Sequence, residues 1–222
     1  MIKYFTQERT FKSLFLLMAG LLFSVTYSYA QTVEITPSYG YQFGSKLNYG
    51  FNNFIKIKDS DQWGVTLGFE TFDNTMAEVS YTHHSTSVTV RDSYFDIPDE
   101  TRLADLAADW VMIGGTRYFP KENIRPFAGA AVGLVFLSPK NENREITDRT
   151  YSNETRFSFS FKAGVNIMFS DHVGINLQGN LLFPVNWGGF YVGGGPGGIN
   201  GGVSVASTTV IGGFSGGLVF RI

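Results

Sequence analysis

The sequence predicts an all-β fold: a closed, antiparallel, up-and-down barrel of eight strands. Three observations carry that expectation. Eight runs of residues alternate apolar and polar side chains, the period of a strand with one greasy and one wet face. The gaps between these runs are alternately long and short. The last run continues to the final residue, Ile222.

The first thirty residues stand apart from this pattern. Lys3, Arg9 and Lys12 outnumber Glu8, an uncharged stretch from Ser13 to Val25 follows, and Ser28 and Ala30 supply the small residues before Gln31. This is the layout of a secretory signal peptide cut after Ala30, leaving residues 31–222 as the folded chain. The apolar stretch falls short of the roughly 20 residues a spanning helix needs. Cleavage removes three bases and one acid, leaving 14 basic against 18 acidic residues, a net charge of −4. That balance argues against a nucleic-acid partner, which demands a basic stripe. With no cysteine, the exported chain has neither disulfides nor thiolate metal sites.

The strands follow in order. The first run sets Val33, Ile35, Tyr39, Tyr41 and Phe43 against Glu34, Thr36, Ser38 and Gln42. Pro37 inside it removes a ladder donor, for which a bulge is the expected accommodation. The second sets Trp63, Val65, Leu67 and Phe69 against Gly64, Thr66, Gly68 and Glu70; the third sets Ala77, Val79 and Tyr81 against Glu78, Ser80 and Thr82. The fourth, Trp110 to Phe119, and the fifth, Phe127 to Leu137, are apolar at both parities, so their phase stays open and ten strands remain the alternative count. The sixth, Phe157 to Phe169, is apolar at every odd position, and nearly every even position is polar or glycine. The seventh opposes Val173, Ile175, Leu177, Leu181 and Phe183 to Gly174, Asn176, Gln178 and Asn180; the eighth opposes Val210, Phe214, Leu218, Phe220 and Ile222 to Ser215, Gly217 and Arg221.

Residues 44–62, 89–108, 139–155 and 184–208 form the long, polar or glycine-rich gaps, whereas Asp73 to Thr75, Pro120 to Pro126 and Ser170 to His172 form the short ones. Tight turns at one end and long loops at the other are the habit of outer-membrane barrels, and a soluble sandwich has no reason to sort its connections so. Within 97–109, a proline followed by acids reads as the start of a short helix in the second long loop.

A transmembrane barrel turns its apolar face to lipid and its polar face inward. The outward positions of the six phased runs carry no Asp, Glu, Lys or Arg. Aromatic residues fall into two belts: Trp63, Trp110, Phe136, Phe157 and Phe183 near the long loops, and Phe69, Tyr118, Phe127, Phe169 and Phe220 near the short turns. Glu34, Glu70, Glu78, Arg117, Lys162 and Arg221 are then candidates for an ion-pair network in the lumen, with Glu34 and Arg221 meeting across the two strands that close the barrel. A charge in so narrow an interior is tolerable only when paired. Eight strands leave room for side chains and little else, so the expected lumen is plugged.

Ser215, Gly217, Phe220 and Ile222 fit a C-terminal assembly signal of polar residue, glycine and outward apolar positions. With the Ala30–Gln31 junction and the strand layout, residues 31–222 resemble the small outer-membrane β-barrel domain proteins of the Bacteroidota type, similar to OmpA/OmpX-like eight-stranded barrels. The resemblance implies passage with periplasmic chaperones, insertion by the barrel-assembly machinery, and contact with outer-membrane lipid and lipopolysaccharide as a monomer. It names no substrate.

Several patterns mimic chemistry. Gly213 to Gly217 spells G-x-S-x-G without the strand-to-helix turn that motif requires. Asp59, Asp61, Gly64 and Glu70 approach calcium-loop spacing, but Trp63 to Phe69 alternates as a strand. Gly193, Gly195 and Gly198 lack a following helix to bind phosphate. His83 and His84, being adjacent, point to opposite faces. Neither a cofactor nor a metal site is expected. The expected role is a structural and surface-interaction scaffold, with a narrow solute channel as the alternative. A lipid-modifying enzyme built on His84, Ser80 and Glu78, which share one parity, is the remote third.

Overall fold

The computed structural model describes residues 32–50, 53–92, 97–144, 151–195, 198–206 and 210–222, with only the backbone described at 49–50, 186–195 and 198–206. The leader expected over residues 1–30 lies outside the described residues. Eleven strands are described: β1 (Val33–Gln42), β2 (Ser45–Gly50), β3 (Asn53–Ile57), β4 (Ser60–Phe72), β5 (Thr75–Asp92), β6 (Ile97–Tyr118), β7 (Ile124–Lys140), β8 (Glu154–Met168), β9 (Val173–Gly195), β10 (Gly198–Ala206) and β11 (Ile211–Arg221).

Eight of them close a ring. The hydrogen-bonded order runs β5, β4, β1, β11, β9, β8, β7, β6 and back to β5, each pair antiparallel. Closure leaves these strands no open edge in the wall, which is what a sheet in lipid requires. The final residue takes part in the seam: Ile222 and Val33 exchange backbone bonds of 2.8 and 2.9 Å.

The tight turns are set by local chemistry. Asp73–Asn74 joins β4 to β5, with Asn74 at φ +57°, a left-handed conformation that asparagine adopts at low cost. Phe119 to Asn123 joins β6 to β7, and Phe169 to His172 joins β8 to β9.

At the other end, much of what the sequence presents as long loop is strand. β3 continues the wall where β4 leaves off, pairing Ile57 with Val88 and Phe54 with Arg91 along β5. The β5–β6 ladder runs on to Asp92 and Ile97. β9 and β10 form a further hairpin. The short helix expected within 97–109 is instead the first half of β6: Ala104 and Ala108 are buried on one face, and pairing with β5 overrides the local helix-start signal.

Pro37 needs no bulge. Its pairing with Val65 on β4 is in register, and the ladder to β11 keeps one register from Ile35↔Phe220 to Ser38↔Gly217 on either side of it. The proline carbonyl comes so close to Gly217 that a Cβ built there would lie 2.2 Å from it, so the glycine is a spatial requirement of the seam.

The structure also fixes the two open phases. In β6, even residues face inward: Trp110, Met112, Thr116 and Tyr118 are buried, while Val111 and Ile113 are exposed. In β7, odd residues do so: Arg125, Phe127 and Val135 are buried, against exposed Ile124, Val132, Leu134 and Phe136. Trp110, Tyr118 and Phe127 therefore leave the aromatic belts and fill the lumen. Two apolar clusters result, Ala108–Trp110–Met112–Val135–Leu182 and Met76–Tyr118–Phe127. Outside, Leu67, Val79, Ile113, Phe159, Phe161, Leu177, Leu181, Phe214 and Leu218 stand exposed in a continuous apolar wall. A water-soluble protein does not expose so large an apolar surface.

Candidate functional site: the filled lumen and its rim

Most charged side chains of the inner face gather towards the short-turn end, whereas Arg156, on the same parity of β8 as Lys162, stands at the other end and pairs with Glu154. Glu34, at the start of β1, is 4 % exposed. Its carboxylate accepts hydrogen bonds from Tyr118 Oη (2.7 Å), Asn166 Nδ2 (3.1 Å) and Arg125 Nη1 (3.1 Å). Asn176 Nδ2 donates to Asn166 Oδ1 at 2.7 Å, and the Arg125 guanidinium lies 4.3 Å from the centroid of the Tyr118 ring. Because β7 stands four places from β1 in the ring of eight, the Glu34–Arg125 pair crosses the full diameter of the lumen. A buried charge so well satisfied avoids the penalty of an unpaired one.

A second pair lies deeper: Lys162 Nζ is 2.5 Å from Glu78 Oε2 and 5.6 Å from the Phe127 ring centroid. A third, Arg221 with Glu70 at 3.4 Å, is about 30 % exposed on both partners and lies near the mouth of the short-turn end. Glu34 and Arg221 are direct neighbours across the closing seam, yet they do not pair with each other. Each reaches past the seam, Glu34 to β7 and Arg221 to β4. Arg125 is the member that sequence reasoning missed. It falls within Pro120 to Pro126, which the sequence presents as a short gap, and the structure starts β7 earlier, at Ile124, so no alternation marked it as inward.

Arg117 is a correction. It sits on the odd, outward parity of β6 and donates to Asp73 O (3.2 Å) and Thr75 Oγ1 (2.8 Å), bracing the β4–β5 turn from outside. The C-terminal positions divide between faces. Ser215 is buried and its hydroxyl accepts from Gln178 Nε2 at 3.1 Å, Gly217 faces inward, and Phe220 and Ile222 are exposed outside.

Above the Lys162–Glu78 pair lies a chamber of about 60 Å³ lined by Ser38, Ser80, Thr82, Ser160, Gln178 and Asn180, among others. The apolar cluster around Trp110 roofs it. His84 stacks on Trp110 with ring centroids 6.2 Å apart, and its Nδ1 has no hydrogen-bond partner. His84, Ser80 and Glu78 thus share the inner face without being joined as a relay, Glu78 being engaged by Lys162. Among the described residues no three His, Asp or Glu side chains gather as a metal site. Asp59 to Glu70 is largely strand β4, Gly213 to Gly217 lies inside β11, and Gly193 and Gly195 lie on β9 with Gly198 on β10.

The outer rim at the long-connection end is polar and aromatic. Tyr39 and Tyr41 donate to Asp61 and Asp59, both at 2.9 Å. Tyr81 Oη and His83 Nδ1 meet Asp109 Oδ1 at 2.5 and 2.7 Å, with Trp63 packed against both rings. Amphipathic rings bonded to carboxylates at the edge of an apolar wall mark the level where lipid gives way to headgroups and water.

Comparison with known proteins places this architecture. The chain is similar to the Neisserial surface protein A (NspA), with 12 % identity, a TM-score of 0.55 and coverage of 86 % of this chain and 97 % of that one. It is also similar to the outer membrane protein OprG from Pseudomonas aeruginosa, with 11 % identity, a TM-score of 0.58 and coverage of 87 % and 96 %. At such identities the likeness shows the fold. No curated protein sequence matches the chain. The family model described as outer membrane protein beta-barrel domain matches residues 14–181. This chain therefore belongs to the outer-membrane β-barrel domain family, and it resides in the bacterial outer membrane.

Proposed function

We propose that the protein is a surface scaffold: a lipid-embedded barrel with a filled lumen, whose extracellular hairpins and loops meet a partner. The observation that supports this best is the Glu34–Arg125 bridge across the diameter, packed with Tyr118, Asn166 and Phe127 and backed by the Trp110 cluster above. Two side-chain layers stand between the two mouths, and strand extensions lengthen the wall on the extracellular side. Assembly by the barrel-insertion machinery and contact with lipopolysaccharide along the outer wall belong to the same reading. Planar-bilayer recording tests it: a silent bilayer is expected, and steady unitary openings would overturn it. The polar chamber favours a second reading, a narrow channel for small solutes, which those openings would support.

A further inference from the structure

We infer that the extracellular β2–β3–β5 sheet carries a binding site for a soluble saccharide bearing several phosphate or sulfate groups. The inference rests on the scaffold reading above and names the chemistry of the partner. Lys46 and Lys56 are direct cross-strand neighbours on β2 and β3, and Phe54 opposes Arg91 across β3 and β5. Directly opposed residues share a face, and Phe54 and Lys56, two apart on β3, share it too. All three cations therefore stand together, with Lys46 Nζ 3.8 Å from the Phe54 ring centroid. Cross-strand neighbours are about 5 Å apart and diagonal ones about 7–8 Å. Such spacings suit anionic groups on adjacent sugar positions and exceed the size of one small anion.

Two further observations point to a missing counter-ion. Like charges placed directly opposite one another destabilise a sheet, yet Lys46 and Lys56 are so placed. Elsewhere at this end Arg102, Arg144 and Arg156 each have a carboxylate within 4 Å. Among the described residues Lys46, Lys56 and Arg91 have none that close, although Lys56 acts on Asp59 at longer range and Glu100 is held by Thr89, opposite Lys56. The buried Arg91 Nε has no hydrogen-bond partner. The opposite face of the same hairpin carries exposed Leu47 and Ile55, and the outer rim beneath it carries Asp59 and Asp61. The hairpin continues the wall past the end of the β4–β5 ladder and so stands on the solution side of that rim.

The test titrates inositol hexakisphosphate onto the full barrel in nanodiscs made with and without lipopolysaccharide. Saturable, salt-sensitive binding is expected in both. Lys46→Gln, Lys56→Gln and Arg91→Gln should each lower affinity about tenfold, the scale of one charge-assisted contact, while Arg144→Gln with Arg156→Gln, which lie outside that row, should not. Heat-modifiable migration establishes that each variant is folded, and the exposed Lys46 variant decides the matter if Arg91→Gln fails to assemble. Unchanged affinity in the basic-face variants overturns the site, as does an equal loss in the control pair. Binding abolished by lipopolysaccharide in the nanodisc assigns the cluster to a lipid phosphate and overturns the soluble ligand. A conducting barrel that still binds would sink only the filled lumen.

Discussion

Replacing Arg125 by methionine isolates the bridge that spans the lumen. The substitution keeps the unbranched stem and removes the guanidinium, leaving Glu34 with two of its three side-chain donors, Tyr118 and Asn166. Both partners are more than nine-tenths buried, so water cannot replace the lost contact. Breaking a buried pair by deleting one partner costs about 3–5 kcal/mol. The Arg221–Glu70 pair, about 30 % exposed and 3.4 Å long, has the same chemistry in a wetter place, where such pairs contribute about 0–1 kcal/mol. Arg125→Met should therefore destabilise the barrel several times more than Arg221→Met. Equilibrium unfolding in denaturant with detergent or bilayer present, followed by tryptophan fluorescence and by gel mobility, reads both. Combining Arg125→Met with Glu34→Gln removes the orphaned charge while keeping an acceptor for Tyr118, and it should restore most of the loss, giving a coupling of about 2 kcal/mol or more. A loss below about 1 kcal/mol for Arg125→Met, or no recovery in the double variant, would refute the reasoning and leave the inner charges as independently hydrated groups.

Three other perturbations follow from the same geometry. Gly217→Val places a branched side chain where even a Cβ lies 2.2 Å from the Pro37 carbonyl, so the seam should not close and the heat-modifiable band should be lost; a folded, heat-modifiable variant contradicts that. Trp110→Ala should cost about 3–5 kcal/mol as a buried aromatic truncation, whereas Trp110→Phe should cost much less, because the indole N–H has no partner; equal losses would mean that the chamber binds that N–H. In the extracellular part of β6, the Asn141 amide donating to Asp105 at 2.9 Å holds its carboxyl below the ordinary aspartate range, with Ser87 and Arg102 adding to this against burial. A depressed folded pKa stabilises above the unfolded value and is lost as pH falls through the folded one. Amide-exchange protection of the β5–β6 hairpin should thus be flat at neutral pH and decline below about pH 4, the ordinary aspartate value. Asp105→Asn should abolish the decline.

How much was legible depends on how local the signal is. Alternation is a property of neighbouring residues, so the inward and outward faces of β1, β4, β5, β8, β9 and β11 follow from the sequence, as does the sorting of tight turns to one end. Glu34, Glu70, Glu78, Lys162 and Arg221 could be assigned to one face for the same reason. Alternation fails in β6 and β7 because both faces of those strands are apolar, one against lipid and the other against the Trp110 and Phe127 clusters. Hydrophobicity alone cannot separate two apolar environments. The helix signal in 97–109 misled because it is a local preference, and a ladder with β5 outweighs it.

The sequence by itself determined that the chain is a barrel for lipid, which strands have a wet side and at which end the turns are tight. Those properties are written in the period of two and in the lengths of the gaps. Only the tertiary structure decided which charge meets which. Partnership across a closed ring depends on the stagger of eight strands and on the diameter they enclose, and neither is encoded in any one segment. That is why Glu34 passes over its seam neighbour Arg221 and takes Arg125 from the far wall.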